Sequence, residues 1–184
     1  MERLDPRSRR DQFGSRINRD HSPLLAHSVP WLVVMLFSLA PFLPIIAPAP
    51  VLPPFGFLAL LSWRFLRPGL LPLWAGLPLG LFDDLFSGQP LGSAILLYSV
   101  ALMVVEVMES RFPWRNFVID WLAAAVLTLG YLLASALFSG ASVLAMQPFV
   151  LAPQVIVSIL LFPLVARIVA LFDRLRLMRV RRIV

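Results

Sequence analysis

An all-α integral membrane protein with six transmembrane helices and both ends in the cytoplasm is the fold class this chain predicts, on three observations. The first is composition: of 184 residues, 59% are hydrophobic and only 14% charged, with a mean hydropathy of +0.85. A soluble domain is nearer one quarter charged. The second is length, since a crossing takes roughly 20 residues, and six apolar stretches use most of the chain. The third is the placement of the sixteen basic residues, all arginine. They fall in the head, after the second apolar stretch (Arg64, Arg67), after the fourth (Arg111, Arg115) and in the tail from Arg167 onward. The turns near residues 47–53, 87–90 and 139–148 carry no charge. Arginine-rich short loops stay inside during insertion, so each such loop marks the cytoplasmic face.

Taken in order, residues 1–28 mix Arg with Asp and Glu around Pro6, Gly14 and Pro23. Such a segment buries too little apolar surface to order itself, which predicts a flexible basic cytoplasmic head. His21 and His27 read as solvated residues of that head. The six-helix domain follows over 29–172. Its first helix runs outward over 29–47, with Pro41, Pro44 and Pro48 bending or ending its outer half. The second, over 53–65, is short for a span, with Trp63 and Arg64 at its inner end. The third covers 69–86 and contains Pro72 and Pro78, and Gly88-Gln89-Pro90 makes the outer turn. The fourth covers 91–109. The fifth, over 118–138, is rich in small residues, with Asn116 as its candidate cap. The sixth covers 149–172. Residues 173–184 form a basic cytoplasmic tail, either an amphipathic strip along the membrane surface or a frayed end that fixes topology.

Within the outer half of the predicted bundle, the only charges are Asp83 and Asp84. Asp83 lies fourteen residues beyond Gly69, about 21 Å along a helix and about two thirds of the way across a 30 Å core. An embedded carboxylate costs on the order of 3 kcal/mol and faces protein or water. With no arginine nearby, it must be met by protonation, water, helix N-terminal amides near Gly88 to Gly92, or another protein. Two compatible readings follow. The pair caps the turn after Phe86, or it contacts a partner. Gly76, Gly80, Asp84, Gly88 and Gly92 recur at spacing four, and the Gly76/Gly80 pair lets a neighbouring helix approach closely. Asp83 points about 100° away from that stripe.

Residues 80–92, Gly-Leu-Phe-Asp-Asp-Leu-Phe-Ser-Gly-Gln-Pro-Leu-Gly, resemble the signature of the MreD family, the rod-shape-determining membrane proteins of bacterial cell elongation. Gly80, Asp84, Leu85, Gly88, Leu91 and Gly92 match it, Asp83 is an extra acid, and Trp63-Arg64 with Arg67-Pro68 resembles the family's loop between the second and third helices. The long charged head departs from the pattern. The resemblance implies a non-catalytic scaffold of the rod complex in the bacterial inner membrane, helping to maintain cell shape and organise peptidoglycan synthesis. MreC is the implied partner, with RodA, a class B penicillin-binding protein and, indirectly, MreB filaments. It also implies a fold similar to the substrate-binding subunits of energy-coupling-factor transporters. On this reading Gly76, Gly80, Asp83, Asp84, Gly88, Pro90 and Gly92 form the partner-binding or structural motif.

The remaining acids lie toward the inner ends of helices. Glu106 and Glu109 share one face of the fourth helix, and Asp120 opens the fifth. They are expected either to pair with Arg64, Arg67, Arg111 or Arg115, or to offer a charged inner surface to a cytoplasmic partner. The net charge of +6 suits anionic lipid headgroups, not nucleic acid. With no cysteine, thiolate metal sites and disulfides are excluded, and no cofactor is expected. Adjacent aspartates on one helix diverge and cannot form an aspartyl dyad, and both histidines lie in the head, away from any serine of the bundle. A catalyst is not predicted. The alternative is a transporter subunit that binds a vitamin-sized molecule in a cavity lined by Ser62, Tyr98, Ser99, Thr128, Tyr131, Ser135, Gln147 and Gln154. Against it, residues 29–50 lack the paired alanines at spacing four by which such a subunit would meet its coupling partner.

Overall fold

A computed structural model describes residues 19–21, 23–42, 52–112, 116–140, 148–176 and 179–181. Six α-helices are present among them: α1 (Pro23–Ser38), α2 (Phe55–Leu66), α3 (Gly76–Ser87), α4 (Ser93–Arg111), α5 (Phe117–Phe138) and α6 (Pro148–Arg176). A short antiparallel ribbon joins β1 (Arg19–His21) to β2 (Arg179–Arg181), so the two flanks of the bundle meet on one side. Three helices are long and apolar enough to cross a membrane: Ser93–Arg111, Phe117–Phe138 and Leu151–Arg176.

The other helices are shorter than the sequence predicts, and proline explains much of this. α1 begins at Pro23, six residues before the expected start of the first span, and its α-helix ends at Ser38. A single 3-10 turn, Ala40–Phe42, carries the chain over Pro41. The expected continuation to residue 47 lies outside the described residues. The third span does not start as a helix at Gly69. Pro72 is extended, a 3-10 turn covers Leu73–Ala75, and regular α-helix begins only at Gly76. At twelve residues each, α2 and α3 are only about 18 Å long. The fifth helix starts where Asn116 was expected to cap it, with Ile119 N–H donating to Asn116 Oδ1 at 3.0 Å.

The short α2 is the centre of the molecule. Every residue from Gly56 to Arg64 is buried, which is what a helix apolar on all sides requires. α1, α4, α5 and α6 pack around it, and α3 lies antiparallel against α4. By contrast, α5 turns Leu122, Val126 and Leu133 outward, more than two fifths exposed, an apolar girdle suited to lipid. In α6, Pro163 has no N–H for the Ile159 carbonyl four residues back. The indole of Trp121 in α5 donates to that carbonyl at 2.9 Å, so a proline-freed acceptor becomes an interhelical bond.

Charge divides the bundle into two ends. At one, α2, α4 and α6 finish together, and Arg64 donates to Glu106 and, at 2.8 Å, to Glu109. Arg67 reaches Asp173 through Nε at 3.0 Å and Nη2 at 2.8 Å, and Arg176 pairs with the same acid. Asp173 is therefore the partner of Arg67, where Glu106, Glu109 or Asp120 was expected. Arg111 is exposed at this end, and Arg115 lies outside the described residues. The opposite end holds Asp83 and Asp84.

Candidate functional site

The turn between α3 and α4 is built on two glycines. Gly88 closes α3 at φ +71° and Gly92 precedes α4 at φ +96°, a left-handed region that a side chain reaches only at a cost of about 1–2 kcal/mol. Because Gly92 occupies the N-cap position, no side chain there can accept the first amides of α4. Asp84, eight residues earlier, does so instead. The Gly92 and Ala94 N–H groups donate to its two carboxylate oxygens at 2.8 Å each, and Ile95 N–H reaches it at 3.4 Å. An anion at a helix N-terminus also meets the positive end of the helix dipole. The embedded charge is thus satisfied inside the chain, and Asp84 is only 3% exposed.

The glycine stripe serves the same hairpin. A Cβ on Gly80 would lie 2.5 Å from Ile95 Cα, and one on Gly76 would lie 2.8 Å from Ser99 Cα. The backbones of α3 and α4 touch along this line, with Gly76 opposite Ser99, Gly80 opposite Ile95 and Asp84 opposite Gly92. The neighbouring helix that approaches closely along Gly76 and Gly80 is α4 of the same chain, which also covers Asp84. The outward face of α3 presents Leu77, Leu81 and Leu85 instead, each at least 45% exposed. Pro90 is exposed at the tip of the turn.

Gly80→Ala is expected to lower stability by about 1–3 kcal/mol, because the added methyl meets backbone and the helices must separate. Gly130→Ala in α5, where nothing lies within 4 Å, is expected to be neutral or mildly stabilising. Thermal unfolding of the two purified variants checks the contrast.

Asp83 faces away from the hairpin, into the bundle. It is 6% exposed and lines a cavity of about 270 Å³ together with Ser38, Ser87, Gln89, Tyr131 and Gln154. Tyr131 OH approaches Asp83 Oδ2 at 3.4 Å, and Gln89 Nε2 approaches Tyr131 OH at 3.4 Å. Ser38 Oγ, Tyr98 OH and Asp83 Oδ1 converge over Gly56, the last two within 2.8 and 2.9 Å of where its Cβ would stand. Only a residue without a side chain lets α2 pass beneath three polar groups here. Phe57 stacks on Tyr131 with centroids 4.4 Å apart and packs against Tyr98 at 5.5 Å. At the entrance to α2, Gln154 Nε2 donates to the Leu52 carbonyl at 2.7 Å.

Of the polar residues expected to line a cavity, Tyr131, Ser135 and Gln154 come together here with Asp83. Ser62 and Ser99 bond to carbonyls four residues back on their own helices. Thr128 is buried, and Gln147 lies outside the described residues. Sequence reasoning missed Ser38 and Gly56. The signal for Gly56 was a lone glycine at the start of an otherwise bulky apolar helix.

A bundle with long apolar helices, an acid-capped hairpin and ion pairs gathered at the far end defines an α-helical membrane protein. The family model for rod shape-determining protein MreD matches residues 25–175, and the chain belongs to the MreD family. It is thereby a protein of rod shape determination, from a family of membrane proteins that act in cell shape. Neither the curated proteins nor the solved structures gave a match.

Proposed function

We propose that this chain is a non-catalytic scaffold of the cell-elongation machinery in the bacterial inner membrane, crossing six times with both ends cytoplasmic. It would organise peptidoglycan synthesis through MreC and the synthase subunits RodA and a class B penicillin-binding protein, and through them MreB filaments. The observation that carries this reading is the family match over residues 25–175. The bundle is consistent with it. Asp84 and the glycine stripe are spent on internal packing, leaving broad apolar helix faces for neighbours in the membrane. The ribbon between 19–21 and 179–181 supports termini on one side, and the arginine end supports that side being the cytoplasm. The division into head, six-helix domain and tail goes with this topology, as do anionic lipids around the exposed arginines.

Two experiments test the reading. Photo-crosslinkers at Leu77, Leu81 and Leu85 on α3, and at Leu122 and Val126 on α5, are expected to capture MreC or a synthase subunit in growing cells from at least one face. Rod-shaped cells with normal protein levels and no such crosslink from either face would count against the scaffold role. The chain has no cysteine, so Leu66→Cys and Leu91→Cys each create a single reporter. Labelling of intact cells by an impermeant thiol reagent is expected at position 91 and not at 66. The reverse pattern overturns the topology.

A further inference from the structure

Asp83 and Asp84 are neighbours in sequence, but their surroundings differ in a way that points to a ligand. Asp84 has its oxygens taken by the amides of α4. Among the described residues, Asp83 is met by hydroxyls and by no amide: Tyr131 donates at 3.4 Å, longer than the 2.7–2.8 Å of a well-formed O–H···O bond, and Ser38 and Tyr98 also stand beside its carboxylate. The ion-paired arginines among the described residues, Arg64, Arg67 and Arg176, are at the other end of the bundle. In the same cavity, Ser87 Oγ is buried without a hydrogen-bond partner among the described residues, and Ser38, only 2% exposed, has its hydroxyl beside Asp83 and Tyr98. Buried polar atoms are ordinarily satisfied. Here a carboxylate and two hydroxyls face one partly open cavity.

The character of that space selects among cations. Asp83 is the sole carboxylate among the described lining residues, which matches a single positive charge and falls short of the several anionic oxygens a divalent ion gathers. The hydroxyl oxygens accept N–H donors. Phe37 and Phe55, 6.4 Å apart in an edge-on arrangement, line the wall, and aromatic faces attract organic ammonium groups. At about 270 Å³ the cavity is just below the roughly 300–1,000 Å³ of sites for drug-sized molecules. It suits a head group of a few heavy atoms.

We propose that this cavity binds a primary ammonium group on a short polar chain, with Asp83 meeting the charge and the Ser38 and Ser87 hydroxyls accepting its N–H bonds. An aminoethyl group has this chemistry, whether on a phosphatidylethanolamine headgroup or on a free amine. The site is independent of which partner packs on the outer faces of the bundle.

The full chain in mild detergent provides the test. Ethanolamine is expected to raise the thermal unfolding temperature of the purified protein, while ethylene glycol, its neutral counterpart of similar size, is not. Asp83→Asn is expected to weaken the ethanolamine midpoint at least about tenfold, the loss of a charged hydrogen bond. Native mass spectrometry separates the sources. Stoichiometric retention of phosphatidylethanolamine by wild type and its loss in Asp83→Asn assign the lipid, and an ethanolamine response without retained lipid assigns a free amine. Equal shifts from ethanolamine and ethylene glycol, or no shift from either in protein that retains no phosphatidylethanolamine, overturn the proposal. So does an Asp83→Asn protein that responds like wild type. If Asp83→Asn does not fold, the comparison of the two additives on wild type decides alone.

Discussion

Asp84→Ala is expected to destabilise the purified protein by about 2–4 kcal/mol. The change removes the acceptor for two short amide bonds at the start of α4 and leaves one donor, Ala94 N–H, buried and the other, Gly92 N–H, part-buried. Loss of a cap costs about 1 kcal/mol, and each buried donor left unsatisfied adds about 1–3 kcal/mol. Bonds within membrane bundles tend toward the low end of such ranges, which sets the total. Asp84→Asn retains one acceptor oxygen and is expected to fall between wild type and alanine. Melting temperatures of the three proteins in one detergent check the order. An Asp84→Ala protein as stable as wild type would mean that the turn holds without its carboxylate.

Arg64→Ala is the second large effect, expected at about 2–4 kcal/mol. The Arg64 side chain is 2% exposed and holds Glu106 and Glu109 from the end of α2. Removing one member of a buried ion pair costs about 3–5 kcal/mol, reduced here because Glu106 is half exposed and recovers water. Arg64→Lys keeps the charge but not the planar fork that reaches two acids, so a smaller loss is expected. Glu106→Gln, on the exposed partner, is expected to cost less than 1 kcal/mol. Unfolding of the four proteins side by side gives the ranking that checks the network.

Much of this bundle was legible before any coordinates, because its signals are local. Six apolar stretches, the Gly88–Gly92 turn and the Asn116 cap all depend on residues close in sequence. Helix lengths were less legible at α1 and α3, where Pro41 and Pro72 stop regular helix short of the span that hydropathy suggests. The choice between an internal cap and a partner contact for Asp84 rested on where α4 packs, and periodicity on α3 alone does not contain that. The same holds for Arg67, whose partner Asp173 lies 106 residues away. Ser38, Gly56, Tyr98 and Tyr131 come from four helices, and no spacing within any one of them announces that they meet at Asp83.

The burial of α2 has a consequence for how the protein is made. Both of its flanks are fastened to the last helix: the Leu52 carbonyl to Gln154 before it begins, and Arg67 to Asp173 after it ends, across 102 and 106 residues. Until α6 emerges from the ribosome, this central rod has an uncovered side and a length too small for the bilayer. Its final seating is therefore a late, long-range closure. A chain interrupted before its sixth helix would leave an assembly whose middle is open to whatever insertase or lipid stands beside it.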